Sequence, residues 1–385
     1  MSLFLTDEQK ALKETVRRFT EKEIIPVRAE LDEREEYPEG IIHKLISDLG
    51  MNCPFIPEEY GGIGQGIFES ALIAEELSRG CLGVSTAFSV TGLGFYPVLI
   101  GGSDEMKRRI LPAAARGEKK SAFALTEAGA GSDITAIRTT AVKKGDRYVI
   151  NGVKQWITGA SRADLYTVFA LTDKSRGIRG MSCLIVENET SGMSFGAKER
   201  KLGIRCSETR EVIFEDCEVP LQNLVGKEGH GFKYVMETLH HSRAVVAASA
   251  VGIAQGAFEC ALQYATVREQ FGNPISSLQS IQHLLAEMST RIESGRLLAY
   301  TAARMIDDKN PRHRKFSAMA KYYCAENALW VANTAIQILG GYGYMRDYPV
   351  EKMLRDARIL SIYEGTSQIQ MNEIAHELIR EVKRG

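Results

Sequence analysis

The chain has 385 residues, 25% of them charged and 44% hydrophobic, enough for several subdomains and ordinary for a globular protein. A net charge of −1 gives no basic field for nucleic acid or an anionic membrane surface. The seven cysteines (Cys53, Cys81, Cys183, Cys206, Cys217, Cys260, Cys324) are odd in number and hold no CxxC pair. They argue for a reducing setting, taken as cytoplasmic, and against a metal site or disulfide frame.

Met1-Ser2-Leu3-Phe4 lacks a basic region followed by an apolar core, so no secretory signal is expected. The first 115 residues or so read as helical. Thr6 with Gln9 makes a capping box, and Asp7 and Glu8 lie in the favourable first turn. Leu12, Val16, Phe19 and Ile24 follow on one face, then Ile41, Ile42, Leu45, Ile46 and Leu49 after Pro38. Pro57-Glu58-Glu59-Tyr60-Gly61-Gly62 reads as a loop. Helical spacing returns at Leu72, Ile73 and Leu77, and again at Met106, Ile110 and Leu111 before Pro112.

Gly80 to Ser103 carries no charge and is long enough to span a bilayer. Its glycines, Pro97 and the hydroxyls of Ser85, Thr86, Ser89 and Thr91 favour a buried helix and turn over a membrane span. The stretch from Phe88 to Pro97 is expected to line a pocket. Thr91, Gly92 and Gly94 should face it, with Phe95 and Tyr96 closing the bottom, a shape for a short, branched or ring-shaped group. Glycines there could equally mark tight helix packing.

The texture changes near Ser121. Tyr148-Val149-Ile150, Tyr166-Thr167-Val168-Phe169 and Val212-Ile213-Phe214 are β-type runs, with turn signals at Gly145-Asp146 and Asn151-Gly152, the latter expected to turn a hairpin. These strands do not alternate with long helices, so a small antiparallel β-domain is expected rather than a parallel Rossmann sheet. After Gly226-Lys227-Glu228-Gly229 the helical period resumes. Ala318, Tyr322, Ala325, Leu329, Ala332, Ala335 and Leu339 form a small-residue stripe ending at Gly340-Gly341, as a bundle helix would. The expected division is 1–120 helical, 121–228 β and 229–385 helical bundle.

Phe123-Ala124-Leu125-Thr126-Glu127-Ala128-Gly129-Ala130-Gly131-Ser132-Asp133 offers N–H and O–H groups to a ring with several acceptors, or is an ordinary glycine turn; it is no dinucleotide fingerprint. Trp156 and Thr158, two residues apart, share a strand face suited to a flat cofactor, or are a half-buried sheet pair. Arg268 with Phe271 suits pyrophosphate and adenine, or is a solvated helix end. His240 and His241 point to different helix faces, which disfavours a metal site. Finally, Glu364 stands beside Gly365, just before a helix with Met371, Ile374, Ala375, Leu378 and Ile379 on one face and Ser367 with Gln370 as its capping box. A carboxylate beside free helix N–H groups is what proton abstraction next to a carbonyl requires. A surface residue complementing the helix dipole is the alternative.

Together these stretches resemble the acyl-CoA dehydrogenase family over essentially the full length. The matching segments come in family order: Phe123-Ala124-Leu125-Thr126-Glu127 through Gly131-Ser132-Asp133, Trp156-Ile157-Thr158, Arg268-x-Gln270-Phe271-Gly272, Gln337-Ile338-Leu339-Gly340-Gly341-x-Gly343, and Tyr363-Glu364-Gly365-Thr366. The resemblance implies an α+β fold: an N-terminal helical domain, a middle antiparallel β-domain and a C-terminal four-helix bundle. It implies FAD, with Phe123, Leu125, Thr126, Ser132, Trp156 and Thr158 on the flavin side. Arg268, Phe271, Gln279, Gln337, Gly340 and Gly341 would contact the FAD of a neighbouring subunit in a homotetramer built as a dimer of dimers, and Thr366 and Gln368 would hold the adenine end.

Ser132, Thr91, Arg243, Tyr363 and Gly365 would contact the acyl-CoA, Thr91 from the pocket reading and the others by resemblance. Glu364 would be the base, with electrons passing to an electron-transfer flavoprotein. Family members commonly carry Asp where this chain has His240, so CoA contacts near Arg243 would differ. Some branched- and long-chain members place the base just before that arginine; here Ser242 stands there, leaving Glu364. The base position fits short- and medium-chain enzymes and relatives acting on alicyclic thioesters. An oxygen-using oxidase and a flavin-binding protein without catalysis are the rival readings.

Overall fold

The computed structural model describes residues 5–383; the secretory-signal reading of Met1 to Phe4 lies outside them. Helix α1 (Asp7–Phe19) starts at the expected box: the Thr6 hydroxyl accepts from the Gln9 N–H, and the Gln9 side chain accepts from the Thr6 N–H. Short helices α2 (Arg28–Glu33) and α3 (Glu39–His43) follow, and Val16, Ile24, Ile42, Leu45 and Ile46 are all buried in one cluster. Helix α4 (Ile67–Gly80) is the buried spine of this part of the chain. The charge-free stretch becomes α5 (Leu82–Leu93) and α6 (Phe95–Gly101), packed mostly inside the protein, and α7 (Asp104–Ala115) continues three residues past Pro112.

The strands are β1 (Ser121–Ala124), β2 (Thr140–Lys144), β3 (Arg147–Thr158), β4 (Leu165–Leu171), β5 (Met181–Glu187), β6 (Met193–Phe195) and β7 (Thr209–Pro220). They form one sheet in the order β1-β4-β2-β3-β7-β6, with β5 on β4. Most pairs are antiparallel, but β1 runs parallel to β4 in the register Ser121↔Leu165, and β2 meets β4 in parallel at Thr140↔Leu171. The expected antiparallel domain is therefore mixed. Between β1 and β4 the chain makes a long loop and the β2–β3 hairpin, long enough for the crossover that parallel pairing needs.

Asn151-Gly152 does not turn a hairpin. Strand β3 runs straight through it, paired to β7 on both sides. The extra residue lies on β7, where Asp216 has φ +47 and its N–H is held by the Asn151 side chain at 2.8 Å. Gly152 is required because a Cβ there would come within 2.4 Å of Thr139 Oγ1. The pair thus accommodates a bulge. The turn is made at Gly145-Asp146, as expected.

Helices α8 (Gly231–Val267), α9 (Gln279–Asp307), α10 (His313–Leu339), α11 (Val350–Ala357) and α12 (Ser367–Val382) complete the chain. Between α8 and α9 a small hairpin of β8 (Glu269–Gln270) and β9 (Asn273–Pro274) turns on Phe271 and Gly272, both at positive φ. Ala325, Ala332, Ala335 and Leu339 of the expected stripe are buried in the bundle core, Ala318 is buried beside it, and Gly340 (φ +59) ends α10.

The first helical region and the bundle are locked together by α4 against α8. Added Cβ atoms at Gly252 and Gly256 would lie 2.0 and 2.2 Å from the carbonyls of Glu75 and Arg79. The buried Glu75 on α4 receives Lys13 from α1 and Arg296 and Tyr300 from α9, all within 3.0 Å. Its carboxyl is held below the usual range because the cations of Lys13 and Arg296 outweigh the cost of burial.

Candidate active site

Glu364 and Gly365 both have left-handed backbone, φ +57 and +90. For a glutamate this is strained, and the surrounding groups hold it there. Arg243 Nε of α8 lies 3.4 Å from the Glu364 carbonyl oxygen. Lys321 Nζ of α10 lies 2.5 Å from the Gly365 carbonyl oxygen. The Gln370 amide of α12 donates to both, at 3.1 and 3.0 Å. At φ +90 Gly365 takes a conformation that L side chains rarely adopt, and a Cβ there would displace the Gln370 amide, whose Nε2 lies 2.5 Å away.

The expected box at Ser367 is one residue out. Thr366 is the cap, its hydroxyl accepting from the Ile369 N–H. Ser367 is already helical and donates to Glu326, while Gln370 turns to the carbonyls just described. The tertiary carbonyl pair competes for the amide that a box would have used.

Held this way, the Glu364 carboxylate lines a cavity of about 150 Å³. The wall includes Phe55, Phe88, Thr91, Leu93, Tyr96, Thr158, Val245 and Tyr363 and is mostly apolar. Protein packs round Glu364, and burial raises its carboxyl above the usual range, before any acyl chain covers it. Three groups pull the other way: a Ser242 hydroxyl donating at 2.6 Å, Arg243 and Lys321.

The His240 ring is buried, with Nδ1 3.4 Å from Arg243 and Nε2 3.8 Å from Glu373. Burial and the Arg243 charge push its pKa to about 2, so it is neutral. It orients Arg243 without cancelling its charge.

Thr91, Thr158, Tyr363 and Glu364 therefore meet in one cavity, with Arg243 and Gly365 immediately behind it. Gly94 and Phe95 do not line it. A Cβ on Gly94 would strike Ala122 O and Ser121 at 2.8 to 2.9 Å, so this glycine serves contact with β1, and Phe95 packs in the neighbouring core. Tyr96 closes one side, stacked on Phe55 at 4.0 Å.

On the β-domain, Trp156 is half exposed at positive φ on a bulge between Lys154 and Ile157. Phe123 is half-buried against Phe169, Leu125 is buried, Thr126 is half-buried, and Ser132 is exposed. Glu127 braces this loop by accepting from the Arg138 and Thr139 N–H groups and from the buried Lys154.

Arg268 and Phe271 (90% exposed) line a separate cleft with Gly340, Gly341 and Tyr342. Gln279 and Gln337 are exposed on α9 and α10, and Gln368 is exposed on α12. None of these joins the Glu364 cavity within one chain.

Ser242, Lys321 and Gln370 were missed as site residues. Ser242 entered only as the residue standing where some members place a base, and Gln370 only as a capping-box partner, while Lys321 sits in ordinary helical sequence with no local sign of what it touches.

An exposed indole, an open glycine loop and a cavity lined by Glu364 fit a flat redox cofactor. Added Cβ atoms at Gly129 and Gly131 would meet nothing within 4 Å, so this loop leaves room for one. The arrangement defines a flavin-dependent dehydrogenase acting on the CH–CH bond of an acyl thioester. The chain belongs to the acyl-CoA dehydrogenase family: its N-terminal, middle and C-terminal domain models match residues 6–118, 122–217 and 229–379. Members of this family are FAD-dependent.

The chain is 45% identical to the cyclohex-1-ene-1-carbonyl-CoA dehydrogenase of Syntrophus aciditrophicus, over 95% of this chain and 88% of that one. It superposes with a TM-score of 0.95 on butyryl-CoA dehydrogenase from Megasphaera elsdenii, at 39% identity, covering 98% of this chain and all of that one. A TM-score of 0.95 at 42% identity also links it to a chain solved in work on the electron transferring flavoprotein of Acidaminococcus fermentans, covering 99% of this chain and 100% of that one.

Ser242→Ala removes a hydrogen bond that favours the ionised carboxylate, so the proton affinity of Glu364 should rise further. The acid limb of the pH profile for flavin reduction should move up by roughly half a unit to one unit. An unchanged acid limb would show that this hydrogen bond does not act on the base.

Proposed function

We propose that the protein dehydrogenates a short, medium, branched or alicyclic acyl-CoA to the 2-enoyl-CoA, with Glu364 as the base for the α-proton. The observation that carries this reading is the Glu364 carboxylate on the wall of a mostly apolar cavity, with its proton affinity raised by burial. A general base works best when its pKa approaches the working pH. Tyr363 and Thr91 border the same cavity, and Arg243 and Gly365 support the base from behind. The Glu364 N–H is the chain's own donor for the negative charge that develops on the thioester oxygen.

Bound FAD would supply the acceptor for the β-hydrogen as hydride; Glu364 takes the α-proton, and the electron pair of the broken Cα–H bond forms the double bond. Phe123, Leu125, Thr126, Ser132, Trp156 and Thr158 would hold the flavin, and Thr366 with Gln368 the adenine end. The small-ring reading is supported by the volume. A mostly apolar cavity of about 150 Å³ has room for a benzene-sized group, and the similar Syntrophus and Megasphaera enzymes act on cyclohexene carbonyl and butyryl thioesters by name.

Two further assignments belong to this reading. An electron-transfer flavoprotein would reoxidise the reduced protein, in keeping with the similar chain solved in the Acidaminococcus work. A homotetramer, a dimer of dimers, would bring Arg268, Phe271, Gln279, Gln337, Gly340 and Gly341 onto a neighbour's FAD. The exposure of Phe271, Met371, Leu378 and Ile379 supports it.

Glu364→Gln keeps shape and hydrogen bonding but cannot take the proton. Anaerobic bleaching of the flavin should slow by about 10⁴-fold, the upper end for a general base, with near-normal affinity for a product-like enoyl-CoA. A variant that bleaches within about tenfold of wild type would remove Glu364 from the mechanism.

In a panel of acyl-CoAs with electron-transfer flavoprotein as acceptor, butyryl- and cyclohexanoyl-CoA should outrun palmitoyl-CoA. The reverse order would overturn the cavity reading, and turnover with oxygen alone would overturn the acceptor.

Arg268→Ala should loosen FAD from a tetramer on gel filtration. A wild-type monomer that keeps its FAD through the column would defeat the shared-site assignment.

A further inference from the structure

Two cations are buried behind the base. Arg243 is 2% exposed and Lys321 is 0% exposed. Among the described residues neither forms an ion pair: Arg243 contacts a carbonyl and an imidazole, and Lys321 contacts a carbonyl. Buried lysines and arginines almost always have a carboxylate partner, because an unpaired ammonium loses its hydration without compensation. Arg243 adjoins residues already placed in the site. Lys321 is different, since it lies outside every motif and outside the cavity wall. It reaches the Glu364 loop from α10 and does not line the cavity.

We propose that Lys321 is a positioning residue for proton abstraction: its ammonium pins the Gly365 carbonyl behind the cavity and sets an unpaired positive charge behind the Glu364 carboxylate. The proposal rests on the reading of Glu364 as the base.

The positional part follows from the backbone. Two consecutive left-handed residues turn their carbonyls into the protein, and Lys321 with Gln370 binds them there. The carboxylate and the Glu364 N–H are thereby set as one rigid unit.

The electrostatic part follows from the pull of the two cations on the base. Arg243 and Lys321 both lower the proton affinity of Glu364, while Glu326 faces Lys321 and Glu373 faces Arg243. After proton transfer Glu364 is neutral, and both buried cations remain beside a thioester that has become enolate-like. A fixed positive field favours that developing charge without reorganisation.

The charged groups facing Lys321 are Glu364 on the loop, Arg243 on α8 and Glu326 on its own helix. Behind Arg243 stand the neutral His240 and, from α12, Glu373. Burial draws the Lys321 ammonium down to about 8, with Glu364 holding it up. Below that value the protonated lysine lowers the proton affinity of Glu364, and losing the charge raises it.

Three variants separate the two parts: Lys321→Gln keeps a donor but not the charge, Lys321→Met removes both, and Lys321→Arg keeps the charge. The measurements are anaerobic flavin bleaching from pH 5 to 9 and the affinity for a product-like enoyl-CoA. In Lys321→Gln and Lys321→Met the acid limb should move up by about one pH unit, with bleaching below the limb slowed roughly tenfold. Enoyl-CoA affinity should stay within about threefold, because Lys321 does not touch the ligand. Lys321→Arg should keep the wild-type limb. Should Lys321→Met fail to fold, the comparison of Gln with Arg carries the test.

A Lys321→Gln variant whose acid limb coincides with wild type, however slow, would overturn the proposal and leave a purely structural lysine. The Glu364→Gln variant keeps the two readings apart. Its loss of bleaching beside an unmoved Lys321→Gln limb sinks only the lysine, whereas its normal bleaching sinks the base.

Discussion

The structure depends on two carbonyl oxygens. Those of Glu364 and Gly365 point into the protein, where Arg243, Lys321 and Gln370 hold them. Three helices, α8, α10 and α12, must therefore pack in one register for the loop to take its left-handed form. Strain of this kind costs of order 1–3 kcal/mol per residue and persists only when the surroundings over-determine it. The bundle provides that over-determination, and the carboxylate faces the cavity as a result.

The cavity has its own requirement. Its floor comes from the first helical region and its roof from α8, so the two must meet closely. Gly252 and Gly256 permit this by leaving α8 without side chains where the α4 carbonyls pass. The polar residues of α4 would be costly there, but Glu75 is matched by Lys13, Arg296 and Tyr300 from two other helices. The same packing that closes the cavity raises the proton affinity of Glu364. Burial thus serves both stability and chemistry.

The proton affinity of Glu364 is a balance of opposing effects rather than a property of one neighbour. Burial raises it, while a hydroxyl and two cations lower it. His240 matters to this balance by staying neutral. An acidic side chain in its place would pair with Arg243 and weaken the positive field behind Glu364.

Much of the architecture was legible from local chemistry alone. The Thr6–Gln9 box, the buried charge-free stretch, the strands at Tyr148, Tyr166 and Val212, and the stripe ending at Gly340 all depend on near neighbours. Helical and strand periodicity report them directly. Glu364, too, was marked by its glycine and the helix that follows. Tertiary packing decided the rest. Asn151-Gly152 became part of a strand because β7 lay alongside with a residue to spare. Gly94 faced β1 rather than the pocket, since a glycine's empty side can serve either a ligand or a neighbour. Ser367 lost the capping role to Thr366, and Gln370 turned to the catalytic loop. Lys321, 43 residues before Glu364 in the chain, had no local signature, because its partner is a backbone carbonyl brought to it only by the packing of the bundle.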